Sequence, residues 1–261
     1  PMAATSTPGA WYRGLRLMSL DGSTMEVPDT PANDARFGRP RVSRGEKSAY
    51  PRLRWVALGE AGTRAVVGLQ AGAYREGEIT LARPLLERLS AGMLCLCDRY
   101  YYGFDLWEEA RRTGAQLLWR IKTNLGFPVE ERLPDGSYLS RAYPSDQRRR
   151  KGHPGVPVRV IDYRLDDPGR PSPEPVYRLL TTILQPENAP ADVGSMLRQA
   201  RHVGPPLRVD DRVRVEGQPL RDAVADDDHV ALAELAFQCE SARLQCLVAA
   251  QVRLHQRREC G

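Results

Sequence analysis

The first clear alternation of apolar and polar positions is "LRLMSLDG", which begins at Leu15 and reads as a strand ending at Asp21. Two more extended stretches follow, "RLRWVALGE" over Arg52–Glu60 and "TRAVVGLQAGAY" over residues 63–74, joined by a short turn at Ala61 and Gly62. The spacing then becomes helical over "ITLARPLLERL", residues 79–89, with Pro84 as its irregular position. A short apolar run, "GMLCLCD", predicts a fourth strand ending at Asp98, and a helix around "GFDLWEEARRTG" follows until Gly114 stops it. "AQLLWRIK", residues 115–122, is the fifth strand. Three hairpin-linked strands followed by alternating helix and strand predict an α/β fold, a mixed sheet covered by helices.

Past Lys122 the pattern turns mostly to β. "PVEERLPDGSYLSRAYP" carries the Asp-Gly hairpin signal at Asp135 and Gly136, "VPVRVIDYRL" alternates, and "VYRLLTTIL", residues 176–184, is a further strand after a proline-rich loop. Residues 127–175 therefore read as a β-rich insertion with basic loops, after a first core part at 11–126 and before a core strand and loop at 176–192. The run Arg148, Arg149, Arg150 and Lys151 is either a solvated loop or a phosphate contact.

Residues 193–261 form an atypical tail. They contain no Ile, Lys, Asn, Thr, Tyr or Trp, although the preceding part uses all six, and they hold three of the five cysteines and three of the four histidines. Loss of residues with AT-rich codons is what a GC-rich gene yields when read out of frame. The composition points to a frameshift near residues 191–195; the other reading is an authentic, compositionally odd helical end. The acids of "ADDDH", residues 225–229, fit a solvated helix start.

Composition narrows the class. The chain has 261 residues, 41% of them hydrophobic, enough for one large domain. No window reaches the run of apolar residues that a membrane span needs, and the first residues lack the pattern of a secretory leader, so a cytoplasmic, nucleoid-associated location is expected. The five cysteines show no framework spacing; Cys95 and Cys97 fit small core residues better than zinc ligands. The net charge of +5 suits a polyanionic partner. Lysine occurs only at positions 47, 122 and 151, so the other 35 of 38 basic residues are arginines, whose planar forks match phosphate.

Two aspartates end strands. In open α/β sheets ligands gather at the carboxyl ends of strands. If the first and fourth strands are neighbours, Asp21 and Asp98 meet there, and two close acids repel unless a divalent metal sits between them.

Several long segments, in order, carry a resemblance: "WYRGLRLMSLDGSTMEVPDTPANDARFGRP", "LCDRYYYGFDLW", "LLWRIKTNL", "RLPDGSYLSRAYPSD", "VRVIDYRLDDPGR" and "YRLLTTILQPENAPA". Over residues 11–191 the chain resembles the catalytic core of an actinobacterial insertion-sequence transposase, of the DDE type in the IS-four-like group. The resemblance implies a ribonuclease-H-like fold and places the first catalytic aspartate on Asp21, in "LDGSTMEVPDT". The second falls on Asp98, in a "DRGFYGF"-like motif where Tyr100 replaces the usual glycine. It implies two Mg²⁺ ions (or Mn²⁺), with Asp21 bridging both and Asp98 holding one, and phosphodiester cleavage and strand transfer at the element's ends. Double-stranded DNA, both inverted repeats and target, is the implied partner, with a possible homodimer on paired ends. Arg120, Lys122, Arg148, Arg149, Arg150 and Lys151 are the candidate DNA contacts.

The third acid breaks the match. The family glutamate follows the "PENAPA"-like segment on a helix with a Y-x-x-R-x-x-x-E pattern, yet no glutamate lies between Glu187 and Glu216 and no tyrosine follows Tyr177. Glu216, Glu234 and Glu240 lack the flanking pattern. The sequence begins only a few residues before the matching core, so the family's N-terminal helical DNA-binding region is expected to be missing. The expectation is a transposase by descent with impaired or no activity; the alternative is a non-catalytic DNA-binding remnant.

Overall fold

The computed structural model describes residues 4–40, 50–166, 176–189, 191 and 212–215. The tail beyond residue 192, apart from 212–215, and with it Glu216, Glu234 and Glu240, lies outside the described residues, as does the proline-rich loop at 167–175.

A two-residue strand, β1 (Trp11–Tyr12), leads into β2 (Leu15–Glu26). The short helix α1 (Pro31–Phe37) follows; the Thr30 hydroxyl accepts from Asn33 N at 3.2 Å and Pro31 stands in its first turn, where no amide is needed. Strands β3 (Arg52–Glu60) and β4 (Val66–Ala73) complete an antiparallel meander. The expected helix over 79–89 divides into α2 (Glu78–Ala82) and a 3-10 helix, Arg83–Arg88. Pro84 has no amide to give an α-helical bond, so the chain tightens there. The apolar run forms β5 (Met93–Cys97), then come α3 (Phe104–Arg112), ended by Gly114 at φ +84°, and β6 (Gln116–Ile121).

One sheet runs through the molecule in the order β4-β3-β2-β5-β6-β10-β9-β8-β7. Its last part comprises β7 (Glu131–Arg132), β8 (Tyr138–Ala142), β9 (Val156–Asp166) and β10 (Tyr177–Thr181), with a four-residue helix, α4 (Gln147–Arg150), between β8 and β9. A last strand, β11 (Arg212–Val215), pairs with the end of β9. Only β2–β5 and β5–β6 are parallel among these pairs. An antiparallel meander with two parallel strands added beside its first strand is the ribonuclease-H-like arrangement. The strands of residues 127–175 continue the same sheet, because β10 bonds β6 on one side and β9 on the other.

Alternation assigns each face of the sheet its own core. On one face Met18, Leu20, Cys95, Cys97, Leu117 and Trp119 pack under α2, the 3-10 helix and α3, with Trp107 edge-on to Trp119 at 5.1 Å. Cys95 and Cys97 are buried free thiols there, as small core residues would be. On the other face Leu17, Leu94, Leu118, Leu179 and Ile161 pack with Tyr12, Ile183, Ala189 and Ala191.

Candidate active site

The acids are placed by strand register. Leu20 lies opposite Cys97 in the parallel β2–β5 ladder, and Cys97 opposite Trp119 in β5–β6. The next residues on the three strands are Asp21, Asp98 and Arg120. Side chains alternate faces, so all three fall on the face of Leu17, Leu94 and Leu118, in one row across the sheet. Arg120 Nη1 stands 3.9 Å from Asp98 Oδ1, as that row requires.

The sequence expectation that Asp21 ends its strand is corrected here. β2 runs on to Glu26, because β3 keeps bonding it as far as Arg52. Asp21 marks the end of the parallel ladder instead, since β5 stops at Cys97. The chain leaves β5 through a tight turn in which Tyr101 N donates to Asp98 O at 3.1 Å.

The environment of Asp21 is apolar and acidic. Burial pushes its carboxyl up to about 6, against the bond donated by Gly22 N at 2.8 Å, with the charges of Glu78 and Asp98 adding to the rise. The Asp98 side chain is 32% exposed, and its Oδ1 accepts from Arg99 N. Two half-buried carboxylates brought together against their own repulsion are a hard-oxygen donor set, the chemistry a divalent cation selects. Among the described residues no group of three or more His, Cys, Asp or Glu side chains could hold a metal.

Glu78 escaped the sequence reading. It opens α2, is held by Arg54 Nη1 at 2.8 Å, and joins the acidic surroundings of Asp21 only because α2 packs on β3. Gly22 is likewise required by tertiary packing. A Cβ there would stand 2.7 Å from the Tyr101 hydroxyl and 2.8 Å from the Trp55 carbonyl.

The expected DNA contacts separate into different settings. Arg120 lies beside Asp98 with its guanidinium 4.7 Å from the Tyr177 ring centre, and that ring stacks on Tyr163 at 5.4 Å. Lys122 is exposed just past β6. Arg149 makes a two-pronged bond with Asp105 of α3, at 2.6 and 3.0 Å, and Arg150 lies over Tyr143 at 5.0 Å. Lys151 is exposed, and the side chain of Arg148 lies outside the described residues.

Two carboxylates side by side where a parallel ladder stops, in a ribonuclease-H-like sheet, define an α/β protein with an acidic site at the end of that ladder. The family profile of the transposase DDE domain matches residues 12–201, and the chain belongs to that family, within the IS4-like group. It is 31% identical over 148 residues to the transposase InsG for insertion sequence element IS4 of Escherichia coli K12, covering 56% of this chain and 33% of that one. The putative transposase InsZ of the same organism is 29% identical over 110 residues, covering 42% of this chain and 37% of its own. The chain thus spans about a third of the length of these curated relatives. Among solved structures, a piggyBac transposase synaptic complex with hairpin DNA is similar at 14% identity and TM-score 0.37, over 74% of this chain and 38% of its own. Endonuclease V from Bacillus subtilis is similar at 14% identity and TM-score 0.28, over 69% and 70%. Among the described residues no helix is long and apolar enough to cross a membrane.

Proposed function

We propose that this chain derives from a DNA transposase that cleaves phosphodiesters and transfers strands at insertion-sequence ends, and that its own activity is impaired. The observation that carries the reading is the shared row of Asp21 and Asp98 on adjacent parallel strands. These two carboxylates would hold divalent cations, Mg²⁺ or Mn²⁺, which when bound activate the attacking oxygen and stabilise the leaving one.

The residues themselves contribute in three ways. Burial keeps part of the Asp21 population protonated near pH 6, so the carboxylate form that a cation needs grows as pH rises. Arg120, leaning on Tyr177, sets a fixed positive charge beside Asp98, suited to a phosphate oxygen. Lys122 and the segment Arg148–Lys151 add backbone contacts that hold duplex DNA without reading its sequence. Impairment is expected because no glutamate stands at the family spacing after Ala191: with two carboxylates alone, divalent cations would be held less firmly and strand transfer would fall by orders of magnitude.

The test is Mg²⁺- or Mn²⁺-dependent cleavage of DNA carrying the element's ends by the full chain, beside a full-length IS4-like relative. Slow cleavage that Asp21→Asn abolishes is expected. A rate equal to the relative's would overturn the impairment. Salt-sensitive duplex binding that Asp21→Ala leaves unchanged, with no cleavage, is the outcome that a DNA-binding remnant predicts. Translation of the codons for residues 185–215 in the other frames decides the tail: a helix with Tyr, Arg and Glu at family spacing would establish the frameshift.

A further inference from the structure

Three consecutive tyrosines follow Asp98 and Arg99, and the fold treats them differently. Tyr101 is 2% exposed, its ring in the core and its hydroxyl against Gly22. Tyr102 packs on Trp107 and Phe127, with ring centres 6.0 and 6.2 Å away. Tyr100 is 63% exposed, the largest exposure of any large apolar side chain among the described residues.

Its position is nevertheless fixed. The turn from Asp98 to Tyr101 is closed by the Tyr101 N to Asp98 O bond, and the Asp98 carboxylate also accepts from Arg99 N. The buried ring of Tyr101 anchors the far side of the turn. Tyr100 therefore projects from a rigid corner two residues past a site carboxylate, with the Arg99 guanidinium 5.2 Å from its ring centre. A water-facing aromatic ring with an arginine over it, on fixed backbone, is a stacking surface for another flat π-system. Where the neighbouring acids act on a phosphodiester, that π-system is a nucleobase.

We infer that Tyr100, with Arg99, is a stacking site for an unpaired nucleobase of the DNA strand whose phosphate lies at Asp21 and Asp98. The inference rests on the transposase reading above. Stacking of this kind tolerates any base and needs the base out of its duplex, so it acts on frayed or overhanging ends rather than on paired DNA.

The experiment uses the full chain and two probes, a blunt duplex and the same duplex with a short single-stranded 3′ overhang carrying 2-aminopurine. Ca²⁺ replaces Mg²⁺ so that the strand stays uncut. With the wild type, 2-aminopurine fluorescence is quenched on binding. Tyr100→Ala is expected to lose the quench and to bind the overhang probe roughly fivefold to a hundredfold more weakly, with blunt-duplex affinity within twofold. Tyr100→Phe keeps both properties. Unchanged quenching in Tyr100→Ala, or equal weakening on both probes, would overturn this inference alone. Absence of any salt-sensitive DNA binding by the wild type would overturn the transposase reading, and this inference with it.

Discussion

The guanidinium of Arg159, fully buried in β9, is paired with the carboxylate of Asp135 in the β7–β8 turn. The pair joins three separate segments. Arg159 Nε donates to Ser137 Oγ at 2.7 Å and Nη1 to Ala189 O at 2.6 Å, while Asp135 accepts from Ala191 N at 2.9 Å. It pins the hairpin turn and the segment ending at Ala191 against the sheet face that carries the acids.

Breaking that pair from one side is costly, because a buried charge is left without its partner. Asp135→Ala is expected to destabilise the chain by about 3–5 kcal/mol. Arg159→Met should cost less, since Asp135 keeps the Ser137 and Ala191 donors. Urea midpoints of the two variants check this order; equal midpoints would contradict it.

Stability should fall with rising pH through the window set by Asp21. Its carboxyl is raised from 3.8 to about 6, so the ionised form is disfavoured in the fold relative to the unfolded chain. The cost begins near pH 4 and is complete above about pH 6, amounting to about 2–3 kcal/mol in metal-free buffer. Thermal melts of the wild type and Asp21→Asn from pH 4 to 8 test it. The variant should match or fall below the wild type at pH 4 and exceed it at pH 8.

Divalent cations should reverse that cost. Mg²⁺ or Mn²⁺ is expected to raise the wild-type melting temperature at pH 8, much less at pH 5, and not at all in Asp21→Asn or Asp98→Asn. An equal rise in the variants would place the cation elsewhere.

Gly22→Ala should destabilise by about 1–3 kcal/mol, because the new methyl meets the Tyr101 hydroxyl and the Trp55 carbonyl. Adding Tyr101→Phe removes only the first contact. The double variant should therefore recover part of the loss by calorimetry, and full recovery would mean that the backbone carbonyl yields.

Arg149 separates stability from DNA binding. Arg149 and Asp105 are both more than half exposed, so Arg149→Ala should leave the urea midpoint unchanged. If the α4 segment contacts phosphate, the same variant should lower the slope of log affinity against log salt by about one. Filter-binding titrations at several salt concentrations read this directly.

The strands around the site were legible from local pattern. β3 spans the same residues as the expected alternating stretch, β5 and β6 match to within two residues at each end, and Gly114 ends α3 as read. These elements are specified by periodicity and by glycine or proline geometry, which act over a few residues. The extent of β2 was not legible, because it depends on how far β3 pairs with it. The break of the helix at 83–88 lay in Pro84 itself, yet only the packed structure shows that the chain continues as a tighter helix.

By itself the sequence determined the apolar alternation, the pair of aspartates Asp21 and Asp98 and the family to which they belong, because all three reside in residue identity and short spacing. Tertiary structure alone decided that Asp21, Asp98 and Arg120 share one row, for a row is set by register between strands far apart in the chain. It also decided that Glu78 adds its charge to Asp21 and that Arg159 finds Asp135. Coulomb energy and burial depend on distance through space, and separation along the chain does not encode that distance.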